Sequence, residues 1–298
     1  MLVSHGHMDH IGGLHNYAAT RGMLSLPAPD VLVPKPIAPA VARMMESWAE
    51  LDAGELKHNL VGVLPGCVLG RLRRTRARAW SCACMCARAP SQESVRRLSC
   101  VRRPPRASHA DALARFPPSR LPCARSDEHA LSSPKGYFVK PFATTHVVPS
   151  QGYVVCSRKQ KLREEYLGLP GAEIKALRQA GEDITRTVEV AEAAFTADTT
   201  MDFVKVDAPE TRLALSAKVF FMECTFVDDT MTAEDAREYG HTHLDEIVAN
   251  ADAFANVGAL VLIHFSPRYS IETILECLDR KLPPELKEKA VPLLEGFR

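Results

Sequence analysis

Ser4-His5-Gly6-His7-Met8-Asp9-His10 places four potential metal ligands, His5, His7, Asp9 and His10, within six residues. Imidazole and carboxylate together suit zinc or a similar divalent ion. If the chain turns sharply after a strand, His5 and His7 can face one ion. Asp9 and His10 then face another about 3.5–4 Å away, the spacing of two-metal hydrolytic sites. The Gly12-Gly13 pair that follows lets backbone pack closely behind such a site. A single histidine is mostly solvated or satisfied within a core, but four ligands in this order are too specific for that account.

The elements that must hold these groups follow from periodicity. Residues 46–60 read as an amphipathic helix interrupted at Gly54. Residues 137–142 and 152–156 read as strands, and 193–196 as a short strand ending at Asp198. Residues 159–180 form a charged, helix-prone arm broken by Leu169-Pro170-Gly171, and 217–222 a buried strand. Thr232 opens a helix with Asp235 as its capping partner, and a second helix starts near Thr242 with Asp245 at the matching offset. Leu244, Ile247, Val248, Ala251 and Phe254 keep its apolar face at helical spacing. Residues 257–265 are an apolar run of strand length, and Ile271, Ile274, Leu275 and Leu278 mark one more helix. Strands and helices alternate, which predicts an α/β or α+β layered fold.

The chain of 298 residues is long enough for a substantial core. Its net charge of +1 gives no global field that would draw in nucleic acid, so any RNA contact must be a local patch. No apolar run approaches the roughly 20 residues of a membrane helix, so no membrane role is expected. No secretory signal is visible at the start. Cys156, Cys224 and Cys277 sit in apolar surroundings and read as buried free thiols, which suits a reducing, cytoplasmic location.

Residues 66–134 differ from their flanks: rich in Arg, Ala, Ser, Pro and Cys, without Lys, and with no helical or strand period. Such a stretch cannot offset its ordering entropy. It reads as a disordered basic loop, as a zinc module on Cys82, Cys84 and Cys86, or as non-coding sequence retained in the gene's translation. The last reading is preferred, because the alternating cysteines lack the paired spacing of zinc modules.

H-x-H-x-D-H is the signature of the metallo-β-lactamase superfamily. The longer string from Ser4 to Leu14 resembles the short form of ribonuclease Z found in plants. Further motifs carry the same resemblance. They are Phe142-Ala143-Thr144-Thr145-His146 running into Pro149-Ser150-Gln151-Gly152-Tyr153, and Phe195-Thr196-Ala197-Asp198-Thr199-Thr200 with Ala197 where the family usually has Gly. Glu223-Cys224-Thr225-Phe226, Gly240-His241-Thr242 and Ile263-His264-Phe265-Ser266-Pro267-Arg268-Tyr269 complete the set. The resemblance implies an αβ/βα sandwich, one domain over 1–298, in which the usual first strands before His5 are missing. It implies two zinc ions, one on His5, His7 and His146, the other on Asp9, His10 and His264, with Asp198 bridging.

The implied activity is removal of the 3′ trailer from precursor tRNA by a hydroxide activated between the metals. Glu223 would orient His241, the proton donor to the leaving oxygen, and Asp9 would orient the attacking water. Read from the residues alone, Glu223 ends an apolar strand and His241 precedes a helix; a carboxylate beside an imidazole raises its pKa and fixes its tautomer. Ser150, Thr199 and Arg268 are expected to touch substrate. So are Lys159, Lys161 and Arg163, on an arm over 157–186 that matches the family's tRNA-gripping exosite. A homodimer is the family's usual form. Two other readings stand beside this one: a hydrolase of the same fold acting on a small ester, thioester or cyclic nucleotide, and an inactive truncated remnant that binds zinc or RNA.

Overall fold

The computed structural model describes residues 1–66 and 136–296. The expected insert at 66–134, with Cys82, Cys84 and Cys86, lies outside them but for Gly66. The chain opens with α1 (Met8–Ile11), α2 (Leu14–Met23), β1 (Asp30–Pro34), α3 (Ala38–Asp52) and β2 (Asn59–Val63). Then follow β3 (Phe138–Ala143), β4 (Gln151–Leu162), α4 (Gly171–Gln179), β5 (Thr185–Phe195) and α5 (Pro209–Ala214). The last part holds β6 (Val219–Glu223), α6 (Ala233–Glu238), α7 (Leu244–Ala249), β7 (Ala259–Ile263), α8 (Ile271–Lys281), α9 (Pro284–Lys287) and β8 (Ala290–Pro292).

β1 and β2 form a parallel pair, and β3 to β8 form a six-stranded sheet in sequence order. β4 runs antiparallel to its neighbours β3 and β5, and β5 to β8 are parallel. Side-chain alternation along the strands sets the layers. On one face of the large sheet, Phe138, Phe142, Val154 and Cys156 join a core with Leu244, Ile247, Ile274 and Leu278 from α7 and α8. On the opposite face, Val139 and Tyr153 pack with Leu32 of β1 and Val63 of β2. The small sheet buries its far side against α2 and α3 through Val31, Val33, Leu14, Ala18, Val41 and Met45. Helix, sheet, sheet and helix are therefore stacked, the αβ/βα order that the motifs imply. No described helix is long and apolar enough to cross a membrane.

Several local expectations change. The helix placed at 46–60 is α3, which starts at Ala38 and stops at Asp52, while Asn59–Val63 is a strand. Its start is obscured by prolines, which are tolerated in a first helical turn, and Ala53 at φ +47 ends it. The arm is mostly not helical. Its flanks are the outer parts of β4 and β5, paired Ser157↔Val190 through Leu162↔Thr185, and only Gly171–Gln179 is helix. Basic and acidic side chains on these two strands pair across the hairpin, which favours extended backbone: Arg158 with Glu189 and Lys159 with Glu192. β1 and β8 had no counterpart in the sequence reading. The second capped helix starts at His243, not Thr242. The Thr242 hydroxyl donates to the Thr199 carbonyl at 2.6 Å, so it is committed elsewhere. His243 Nδ1 accepts from the Asp245 amide at 3.1 Å, and Glu246 closes the capping box.

Candidate metal centre

The ligands are brought together by topology. β3, β5, β6 and β7 all point their C-terminal ends at one edge of the large sheet, where open α/β sheets place their sites. The loop after β3 carries His146, the turn after β5 carries Asp198, β6 ends in Glu223, and His264 directly follows β7. From the other sheet, the segment before His5 reaches the same edge. Leu2 bridges Leu32 of β1, the Tyr153 hydroxyl donates to the Val3 carbonyl at 2.7 Å, and the Gln151 amide donates to the Ser4 carbonyl at 3.1 Å. His7 then turns the chain into α1, which holds Asp9 and His10.

Three groups of ligand atoms result among the described residues, one of them Asp198, His241 and His264. His5, His7, His146 and Asp198 form the second, and Asp9, His10 and His264 form the third. His5 Nε2 lies 3.1 Å from His7 Nδ1, and His146 Nε2 lies 3.3 Å from that same nitrogen. A tetrahedral ion with metal–nitrogen bonds of about 2.0–2.1 Å holds its ligands roughly 3.3 Å apart, so these residues fit a divalent cation. Asp198 Oδ2 stands between the groups, 3.6 Å from His5 Nε2, 3.3 Å from His10 Nε2 and 3.5 Å from His264 Nε2.

The electrostatics agree with a cation site. Burial and the neighbouring His10 push His5 down to about 3, and burial also lowers His146, so both rings are neutral ligands near pH 7. Burial disfavours the ionised Asp198, yet the bond from His10 and the nearby His264 and His5 hold its carboxyl far below the usual range. His10 is raised, chiefly by its bond to Asp198. Two of the four described non-glycine residues in the left-handed region lie at the site: Ala197 at φ +57 and His264 at φ +62. The sharp turns that aim Asp198 and His264 across the sheet edge require it, and a glycine at position 197 would adopt it at less cost.

Glu223 is wholly buried. Its Oε1 accepts from the Thr199 amide at 2.6 Å and from His241 Nδ1 at 3.0 Å. Its Oε2 accepts from the Thr225 hydroxyl at 2.6 Å and the Thr242 amide at 3.1 Å. With Nδ1–H donated to Glu223, His241 presents Nε2 outward, and its ring centre is 5.2 Å from that of His146 and 5.3 Å from that of His264. Burial opposes the charged imidazole, but the bond and charge of Glu223 outweigh it and raise the pKa of His241. Gly240 is required twice. It adopts φ +79, and a Cβ there would stand 2.6 Å from His146 Nδ1. Its carbonyl accepts from His146 Nδ1–H at 2.7 Å, which leaves Nε2 of that ring as the ligand atom.

The other expected site residues divide. Ser150 is half-buried near the ligand loop, its hydroxyl 2.7 Å from that of Thr144, and Arg268 is exposed with its guanidinium 5.1 Å from the Phe226 ring centre. Thr199 does not face solvent. It is fully enclosed, its hydroxyl donates to the Thr200 carbonyl and accepts from the Thr145 amide, and its own amide serves Glu223. Its place is beneath the site rather than against a substrate. Lys159 is paired with Glu192 and Arg163 with Asp183, while Lys161 is exposed farther out on β4. Behind the ligands, Gly12 is tightly packed, a Cβ there meeting the Met8 carbonyl at 2.5 Å, whereas nothing lies within 4 Å of a Cβ at Gly13. The sequence reading missed the Gly240 carbonyl and the Thr225 hydroxyl, because nothing in a sequence reports which ring nitrogen a distant oxygen will meet. His243, two residues from His241, is a buried helix cap.

No family model matches the chain. It is 39% identical over 297 residues to tRNase Z TRZ1 of Arabidopsis thaliana, an alignment covering 100% of this chain and 82% of that protein. It is 32% identical over 298 residues to tRNase Z TRZ2, chloroplastic, of the same plant, covering 100% of this chain and 66% of that one. A looser structural likeness, TM-score 0.46 at 12% identity over 98% of this chain and 72% of the other, joins it to the metallo-beta-lactamase fold protein YhfI from Bacillus subtilis.

Proposed function

Because the chain belongs to the tRNase Z family, we propose that it is a metal-dependent endoribonuclease that removes the 3′ trailer from precursor tRNA. The observation that carries this reading is the Glu223–His241 pair, 3.0 Å apart and set against the converging ligands. A hydrolase of small esters needs the ligands alone; a proton donor on a buried carboxylate beside them suits a poor leaving group such as a ribose 3′-oxygen.

In this reading His5, His7, His146 and Asp198 hold one ion, and Asp9, His10, His264 and Asp198 hold the other, with zinc favoured by the imidazole-rich, thiol-free donor set. When bound, the cations supply Lewis acidity to water and to the scissile phosphate. Asp9, whose side chain is 70% exposed, orients the attacking water from the solvent side. His241, held by Glu223, delivers its Nε2 proton to the departing 3′-oxygen. Arg268 and Ser150 steady the phosphates flanking the cut, and Lys159, Lys161 and Arg163 on the β4–β5 hairpin contact the tRNA body. The active form in this reading is a homodimer.

The test is a precursor tRNA bearing a 3′ trailer, incubated with the zinc-loaded chain and with its Asp9→Ala and His241→Ala variants. The unaltered chain should release the trailer and leave a 3′-hydroxyl, and both variants should be severely slowed. Equal cleavage by all three proteins, or none by the zinc-loaded unaltered chain, would refute the proposal.

A further inference from the structure

Thr225 stands between the carboxylate of Glu223 and the imidazole of His264. Its hydroxyl oxygen lies 2.6 Å from Glu223 Oε2 and 2.9 Å from His264 Nδ1, and the residue is buried. A threonine hydroxyl has one proton. Glu223 accepts only, so that proton is donated to the carboxylate. The Thr225 oxygen must then accept from His264, and His264 must carry its proton on Nδ1. Its Nε2 is thereby left with a bare lone pair, aimed at the site 3.5 Å from Asp198 Oδ2. The same carboxylate receives Nδ1–H of His241 directly at 3.0 Å. Glu223 thus orders two rings from one buried position, one by contact and one through a single hydroxyl.

We infer that Thr225 is a positioning residue that locks His264 in the metal-ligating tautomer and ties that ligand to the carboxylate orienting His241. The inference rests on the metal-holding reading given above. Removing the hydroxyl leaves His264 Nδ1–H without its acceptor, so the other tautomer and other ring rotations become accessible. Groups in this position typically contribute about 10–100-fold to metal affinity. The effect falls on one ion, because His146 has its own acceptor in the Gly240 carbonyl.

The experiment compares the full chain with Thr225→Val, close in shape but without the hydroxyl, and Thr225→Ser, which retains it. Zinc is titrated against a chromophoric chelator, and the ring ¹⁵N shifts of the metal-free proteins report the His264 tautomer. The unaltered chain should take up two equivalents. Thr225→Val should keep one at unchanged affinity, lose about 10–100-fold at the other, and show His264 shifted away from the Nδ1–H form. Thr225→Ser should restore both readouts, which a mere packing defect would not allow. Two tight equivalents in Thr225→Val, or no recovery in Thr225→Ser, would overturn the inference while leaving the endonuclease reading intact. Fewer than one equivalent in the unaltered chain would instead sink the metal reading, and this inference with it.

Discussion

The ligands supplied by residues 136–296 stand at the ends of strands in a six-stranded sheet, whereas those supplied by residues 1–66 ride on an extended segment and one helical turn. His146 and His264 each have a neutral or backbone oxygen that fixes their tautomer, and Asp198 has a side chain only 4% exposed. Among the N-terminal ligands His5 is wholly buried with its Nδ1 3.1 Å from the Ser4 hydroxyl, but Asp9 is 70% exposed at its side chain, His7 caps α1 and His10 lies on it. The core beneath the first set joins the large sheet to α7 and α8, while the small sheet has two strands and a separate cluster with α2 and α3. One half is organised before a cation arrives. The other depends on the cation most at Asp9, which is brought to the site by its place on α1 rather than by burial.

The sharpest way to break this comparison is to remove one carboxylate from each half. Asp198→Ala should reduce zinc content below one equivalent per chain and abolish trailer cleavage, because that oxygen faces His5, His10 and His264 at once. Asp9→Ala should lose cleavage yet retain at least one equivalent on the untouched His5, His7, His146 and Asp198 group. Metal analysis giving the reverse order would show that the N-terminal motif is the organised half.

A second effect should be confined to chemistry. His241→Ala is expected to lower kcat by about 10²–10⁴-fold, the usual contribution of a positioned acid, with zinc content unchanged. Loss of metal in that variant would mean that His241 is a ligand rather than a donor.

The pH profile gives a subtler measure. Glu223 raises the pKa of His241 above its ordinary 6.5, so the protonated donor persists to higher pH and is lost as pH rises through the raised value. Glu223→Gln should therefore move the alkaline limb of kcat toward acid, and an unmoved limb would assign that limb to another group. The smallest effect is on backbone strain. Ala197→Gly relieves a left-handed alanine at φ +57 and should raise stability by up to about 1 kcal/mol in denaturant unfolding. A lower midpoint would show that the methyl packs usefully in its buried position.

How legible each feature was follows from the range of the interaction behind it. The four ligands from His5 to His10 are neighbours in the chain, so their spacing alone announced a metal site. The alternation of buried residues in β6 and β7 and the period of α8 are also local, and these elements lie close to where the sequence puts them. β1 and β8 escaped because each is short and owes its existence to a partner distant in sequence, and the charged outer end of β4 reads as part of a helix-prone arm because cross-strand ion pairs are invisible along one strand.

The sequence by itself determined which side chains can bind a cation, that strands and helices alternate, and through the spacing of its motifs the family to which the chain belongs. The tertiary structure alone decided that β3, β5, β6 and β7 end at one edge, so that His146, Asp198, Glu223 and His264 meet. It also decided which nitrogen of each ring is free, because a tautomer is set by the oxygen opposite it, and the Gly240 carbonyl and Thr225 hydroxyl arrive at His146 and His264 only when the sheet is assembled.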